Sequence, residues 1–171
     1  MTDPRYTKLA ELLAGYSMNV KKGERVLLDI GDANDIHPAR KAEAARRLSL
    51  WARATVYGEH IEYSGPVLKE SKIADGAVTI AFTHAKGLKT RDGKAPAGFA
   101  IAGEDGKFVW ADASIEGETV VVRSKDVPDP KLVRYAWHNN PETANLVNGE
   151  GLPASSFRTD RVEMKQPKRR D

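Results

Sequence analysis

The chain has 171 residues, 40% of them hydrophobic and none of them cysteine, with 27 basic against 24 acidic side chains for a net charge of +3. That apolar content suffices for one ordinary domain or two small ones, and the lack of cysteine excludes disulfides, thiolate zinc sites and a cysteine nucleophile. The longest apolar runs, such as Val26 to Leu28 and Val120 to Val122, are too short to span a bilayer, and the N-terminus carries no apolar signal-peptide core. The expectation is a chain with no membrane partner that stays in the cytoplasm as written, or is exported if its native N-terminus differs.

Tyr6, Leu9, Leu12, Leu13 and Tyr16 fall at spacings of three and four, which predicts a first helix with one buried stripe. After Lys22-Gly23, the short apolar run Arg25 to Ile30 reads as a buried strand. A loop follows, Gly31-Asp-Ala-Asn-Asp-Ile-His37. Pro38 then stands where a helix accepts proline best, and Ala45, Leu48, Trp51 and Thr55 form an apolar stripe, so a second helix is predicted over about 38–57, stopped by Gly58.

Beyond Gly65-Pro66 the pattern changes. Asp75-Gly76, Asp92-Gly93, Asp105-Gly106 and Glu116-Gly117 punctuate short β-rich runs, which predicts antiparallel structure with strands at 77–82, 98–101, 107–111, 118–124 and 132–137. In the last of these, alternation puts Val133, Tyr135 and Trp137 on one face. Trp110, Tyr135 and Trp137 could stack on sugar rings, but burial in the core is the favoured expectation. His84 and His138 read as loop or surface residues and His60 as an inter-domain contact.

The fold class expected is α+β: a short α/β segment over 1–58, a small antiparallel β-sandwich or jelly-roll over 59–160, and a basic tail over 161–171. The tail holds Arg161, Lys165, Lys168, Arg169 and Arg170 without aromatic interleaving or a recognition helix, so it reads as a frayed terminus and no nucleic-acid partner is expected.

The loop carrying Asp35 and His37 lies between the end of a predicted strand and the start of a predicted helix, where open α/β sheets keep their sites. A histidine there can serve as general base when a carboxylate holds its other ring nitrogen. Asp35 is the nearest such carboxylate, with Asp32 as an alternative and Asp29 too far back. The same residues also suit plain helix capping, with His37 as N-cap and Asp35 beside the dipole. A metal site is disfavoured, because the spacing lacks the Asp/Asn pattern and bidentate glutamate of a calcium loop. No cofactor is expected.

The block Asp29-Ile-Gly-Asp-Ala-Asn-Asp-Ile-His-Pro38, with Lys41 and Arg46-Arg-Leu-Ser-Leu-Trp51, resembles the histidine block of sialate O-acetylesterases, members of the SGNH hydrolase superfamily. Glu62-Tyr-Ser-Gly-Pro66, Gly98 to Asp105, Phe108-Val-Trp-Ala-Asp112, Val133-Arg-Tyr-Ala-Trp137, Asn139-Asn-Pro141, Gly151 to Ser155 and Phe157-Arg-Thr-Asp160 continue the resemblance to that family's C-terminal region. It implies an ester hydrolase of O-acetylated sugar or sialic acid, with His37 as general base and Asp35 as its carboxylate partner.

Two features depart from that family. Its serine nucleophile sits in a Gly-Gln-Ser-Asn-like setting that this sequence does not contain, and none of Ser17, Ser49, Ser64, Ser71, Ser114, Ser124, Ser155 or Ser156 stands beside an evident oxyanion partner. A partner chain supplying the missing hydrolase half is one expectation; a non-catalytic accessory or carbohydrate-binding module is a second, and an aminopeptidase-related function, suggested only by the head of the chain, is a third. Residues 1–30, especially Tyr6 to Ala10 and Gly23-Glu-Arg-Val-Leu-Leu28, instead resemble the start of aminopeptidase T-like metallopeptidases, which implies a chimera joined within Val26 to Gly31. Peptidase chemistry is not implied, because that family's metal ligands belong to regions this sequence lacks.

Overall fold

The structure is a computed structural model that describes residues 41–138 and 141–160. The predicted first helix and strand, Asp35, His37 and the basic tail lie outside the described residues. The chain divides into two compact units, Met1–Ala42 and Glu43–Asp171, and almost all described residues belong to the second.

Helix α1 spans Lys41–Thr55. Its first turn is fixed by Glu43, whose carboxylate takes Arg46 at 2.8 Å and Arg47 at 2.7 Å, three and four residues on. Those hydrogen bonds hold the Glu43 carboxyl down at about 2. The helix closes as expected near Gly58, which takes a positive φ of 72°, and Arg53 clips the following chain through Glu59 at 2.6 Å. The predicted buried stripe is only partly realised: Trp51 is half-buried, whereas Leu48 is 42% exposed.

The rest is antiparallel β, in agreement with the α+β, sandwich-like expectation. One sheet has the order β1-β2-β7-β6 and comprises Val67–Ala74, Ala77–Thr83, Thr119–Arg123 and Asp112–Glu116. The other has the order β10-β8-β4-β5 and comprises Phe157–Arg158, Leu132–Tyr135, Phe99–Ala102 and Val109–Trp110. A ribbon pairs β3, Lys89–Thr90, with β9, Leu146–Val147.

Alternation builds the core. Val78, Ile80, Phe82, Val120 and Val122 from the first sheet join Phe99, Ile101, Val133, Tyr135 and Phe157 from the second in one buried cluster. The β1–β2 hairpin turns on Asp75-Gly76, with φ of 50° and 68° at its two central residues, the left-handed pair that a two-residue hairpin loop requires.

Strand β1 escaped the sequence reading because six of its eight residues are exposed and no face alternates. It is an edge strand whose register shifts between Leu68 and Glu70. Strand β6 was missed as well. The run expected at 107–111 is a strand only at Val109–Trp110, because β4 offers just Ala100 and Ile101 as partners there.

The run expected to continue to Trp137 stops at Tyr135. Ala136 enters the left-handed region at φ 50°, which ends the alternation. Trp137 therefore leaves the core face and is 46% exposed, and Trp110 is 65% exposed on β5. The expected core role holds for Tyr135 alone, which is 1% exposed and whose hydroxyl accepts a 3.0 Å hydrogen bond from the Leu146 amide.

Candidate functional site

Asp35 and His37, the sequence-predicted catalytic pair, lie outside the described residues. Within the described residues, chemistry-bearing side chains gather in two places.

The first is the base of the β1–β2 hairpin. Because Val67 pairs with Thr83, the chain entering β1 and the chain leaving β2 meet, and Glu62 comes against His84, 22 residues away. The Glu62 Oε1 to His84 Nδ1 distance is 2.7 Å, and both side chains are about a quarter exposed, at 28% and 25%. Burial works against ionisation of Glu62, but the His84 ring and the amides of Ser64 and Tyr63 outweigh it and lower its pKa. The Tyr63 ring meets the His84 ring edge-on at 5.1 Å. A carboxylate holding one imidazole nitrogen is the orienting half of a general-base arrangement. Among the described residues, however, no serine hydroxyl is bonded to His84; Ser64 Oγ donates to the Gly65 carbonyl at 2.9 Å.

Asn148 binds this corner together. Its side-chain amide donates to the carbonyls of Ser64 at 2.9 Å and His84 at 3.1 Å, and its Oδ1 accepts from the Leu152 amide at 3.0 Å. Three segments distant in sequence thus share one buried side chain, all of whose bonds are local to the corner. Gly65 lies so close to Pro153 that a Cβ there would come within 1.8 Å of its carbonyl oxygen. Beside the corner, Arg46, Leu50, Arg53, His60, Ile61, Glu62, Glu150 and Leu152 line an open cleft of about 380 Å³. His60 stands exposed in that cleft. His84 lies in the loop after β2, as expected, and is in addition a half-buried tie, a role no local motif announces.

The second gathering lies on the outer face of the sheet β10-β8-β4-β5. Cross-strand pairing sets Arg158 opposite Arg134, Arg134 opposite Ala100 and Ala100 opposite Trp110, one row of side chains on one face. Asp160 receives both guanidinium groups: Arg134 Nε donates to Oδ1 at 3.0 Å and its Nη2 to Oδ2 at 2.5 Å, while Arg158 Nε donates to Oδ1 at 3.0 Å and its Nη2 to Oδ2. The Arg134 and Arg158 guanidinium groups beside Asp160 hold its carboxyl far below the usual carboxylate range, against the opposing effect of burial. Arg134 lies 3.7 Å over the Phe108 ring, and Arg158 lies 5.2 Å from the Trp137 ring centre. The Trp110 ring meets His138 edge-on at 5.2 Å.

Among the described residues, no three His, Asp or Glu side chains cluster in a way that could hold a metal ion, and no helix is long and apolar enough to cross a membrane.

No protein-family model matches the sequence, and no curated protein does. Among solved structures, the chain is similar to the crystal structure of a carbohydrate acetylesterase from Xanthomonas citri, with 45% sequence identity and a TM-score of 0.73. The match covers 80% of this chain but 32% of that one, so the chain spans about a third of the neighbour's length. An ester hydrolase acting on carbohydrate is thus the kind of protein this chain resembles in both sequence and fold.

Proposed function

We propose that the chain is part of a carbohydrate O-acetylesterase of the SGNH type, contributing the general base His37 and its orienting carboxylate Asp35, while a serine from another hydrolase segment provides the nucleophile. The single observation that carries this reading is the 45% identity, over 80% of the chain, to a carbohydrate acetylesterase. The order of motifs from Asp29 to Asp160 supports it and suggests an O-acetylated sugar, sialic acid among the candidates, as substrate. In this reading the serine attacks the acetyl carbonyl, His37 takes the hydroxyl proton and later returns it to the departing sugar oxygen, and Asp35 stabilises the imidazolium in between. Residues 1–30 then belong to an aminopeptidase T-like head joined to the esterase segment within Val26 to Gly31.

The test measures acetate release from p-nitrophenyl acetate and O-acetylated sialic acid. The chain is assayed alone and mixed with the part of the Xanthomonas citri chain that it does not span. Release in the mixture that falls by about 10² to 10⁴-fold with His37→Ala is the expected result. Equal rates for the wild type and the variant, or no release in the mixture, would sink the proposal.

A second reading, a non-catalytic carbohydrate-binding module, is favoured by the exposure of Trp110 and Trp137, at 65% and 46%.

A further inference from the structure

We infer that the outer face of the sheet β10-β8-β4-β5 is a saccharide-binding platform on which Trp110 and Trp137 stack an extended pyranose chain. The ligand class rests on the likeness to a carbohydrate enzyme. The placement of the site does not, because it follows from the row of side chains and from the left-handed Ala136.

Large exposed aromatics bury area only when something lies on them, and Trp110 on β5 and Trp137 just beyond β8 are both solvent-facing beside the same row of side chains. Each ring has a neighbour that limits its motion, Trp110 edge-on to His138 and Trp137 beside the Arg158 guanidinium, and such restriction lowers the ordering cost of binding. Ala100 sits between Trp110 and Arg134 in the cross-strand row and leaves a shallow step between larger side chains. Two strand spacings, about 10 Å, separate the backbone at Trp110 from that at Arg134, so the platform suits several linked rings rather than one.

Asp160 offsets one of the two positive charges of Arg134 and Arg158, and each guanidinium spends only an Nε and an Nη2 N–H on it. What remains is flat apolar ring surface beside N–H donors, which suits a polyol with C–H faces and hydroxyl edges.

The platform is tested on the full chain by isothermal titration and tryptophan fluorescence, with cellohexaose and sialyllactose as probes. These distinguish a neutral chain from a sialylated one. Saturable binding of either probe is expected, weakened at least tenfold by Trp110→Ala and by Trp137→Ala, and partly restored by Trp→Phe. Unchanged circular dichroism and melting temperature would show that the exposed rings were removed without unfolding the chain. His37→Ala should bind as the wild type does, so failure of the esterase reading leaves this result intact. Absence of binding to both probes, or binding indifferent to both alanine variants, would overturn the inference. So would quenching of these tryptophans by the unspanned part of the Xanthomonas citri chain without any response to sugar, because the face would then be a protein interface.

Discussion

Replacing Asp160 with asparagine isolates the anchor beneath the outer-face row. The carboxylate accepts from both Arg134 and Arg158, and its side chain is 11% exposed against 27% and 19% for the two arginines. Asparagine keeps one acceptor oxygen but turns an amide donor toward guanidinium donors, and it leaves two positive groups without their counter-charge. Charge-assisted hydrogen bonds contribute about 1.5–3 kcal/mol each, and breaking a largely desolvated pair costs several kcal/mol. Partial solvent access reduces that figure, so Asp160→Asn should destabilise the sandwich by about 2–4 kcal/mol. With a urea slope of about 2 kcal/mol per molar, the unfolding midpoint should fall by about 1–2 M without a change in slope.

The pH dependence has a defined sign. The folded-state pKa of Asp160 is depressed, so its contribution is fully present above the unfolded carboxylate value of about 4 and is lost as pH falls from there through the folded value. Urea melts of the wild type and Asp160→Asn should therefore differ by a constant amount from about pH 7 to pH 4 and converge below it. A midpoint change under about 0.3 M, or acid limbs that stay parallel below pH 4, would refute this account of the ion-pair cluster.

Asn148→Ala removes three hydrogen bonds at once and strands the buried Leu152 amide; a loss of about 3 kcal/mol is expected in urea melts, and Asn148→Asp, which keeps only the acceptor, should not rescue it. Gly65→Ala drives a methyl group into the Pro153 backbone. It should cost at least about 2 kcal/mol, read as a lower melting temperature, and a neutral result would mean that the two segments can separate freely.

How much of this was legible in the sequence differs from element to element. Strands β2 and β7 were plain because each sets apolar residues on the core face and is bounded by Asp-Gly or Glu-Gly turns. Strand β1 was hidden because an edge strand with a shifted register need not alternate. Counting in twos from Val133 puts Trp137 in the core, and that count fails at a left-handed alanine, a conformation alanine does not advertise. The Glu62–His84 contact depends on where the β1–β2 hairpin closes, which fixes a pairing across 22 residues that neither segment signals alone. Asp35 and His37 read as a loop pair between predicted elements and, through resemblance, as half of a hydrolase site, and they lie outside the described residues. The outer-face row needs the register of four strands and could not be read from one strand at a time.

The bulged, highly charged strand β1 bears on how this sandwich behaves among its neighbours in solution. Lys69, Glu70 and Lys72 are exposed along it, and Asp112, Ser114 and Glu116 are exposed on β6 at the opposite border of the same sheet. The borders of the second sheet, β5 and β10, are two residues long. A foreign strand seeking a template therefore meets charge or a kink on one sheet and too few free backbone groups on the other. Such a unit can sit beside other protein segments with little tendency to recruit their strands into its own sheets.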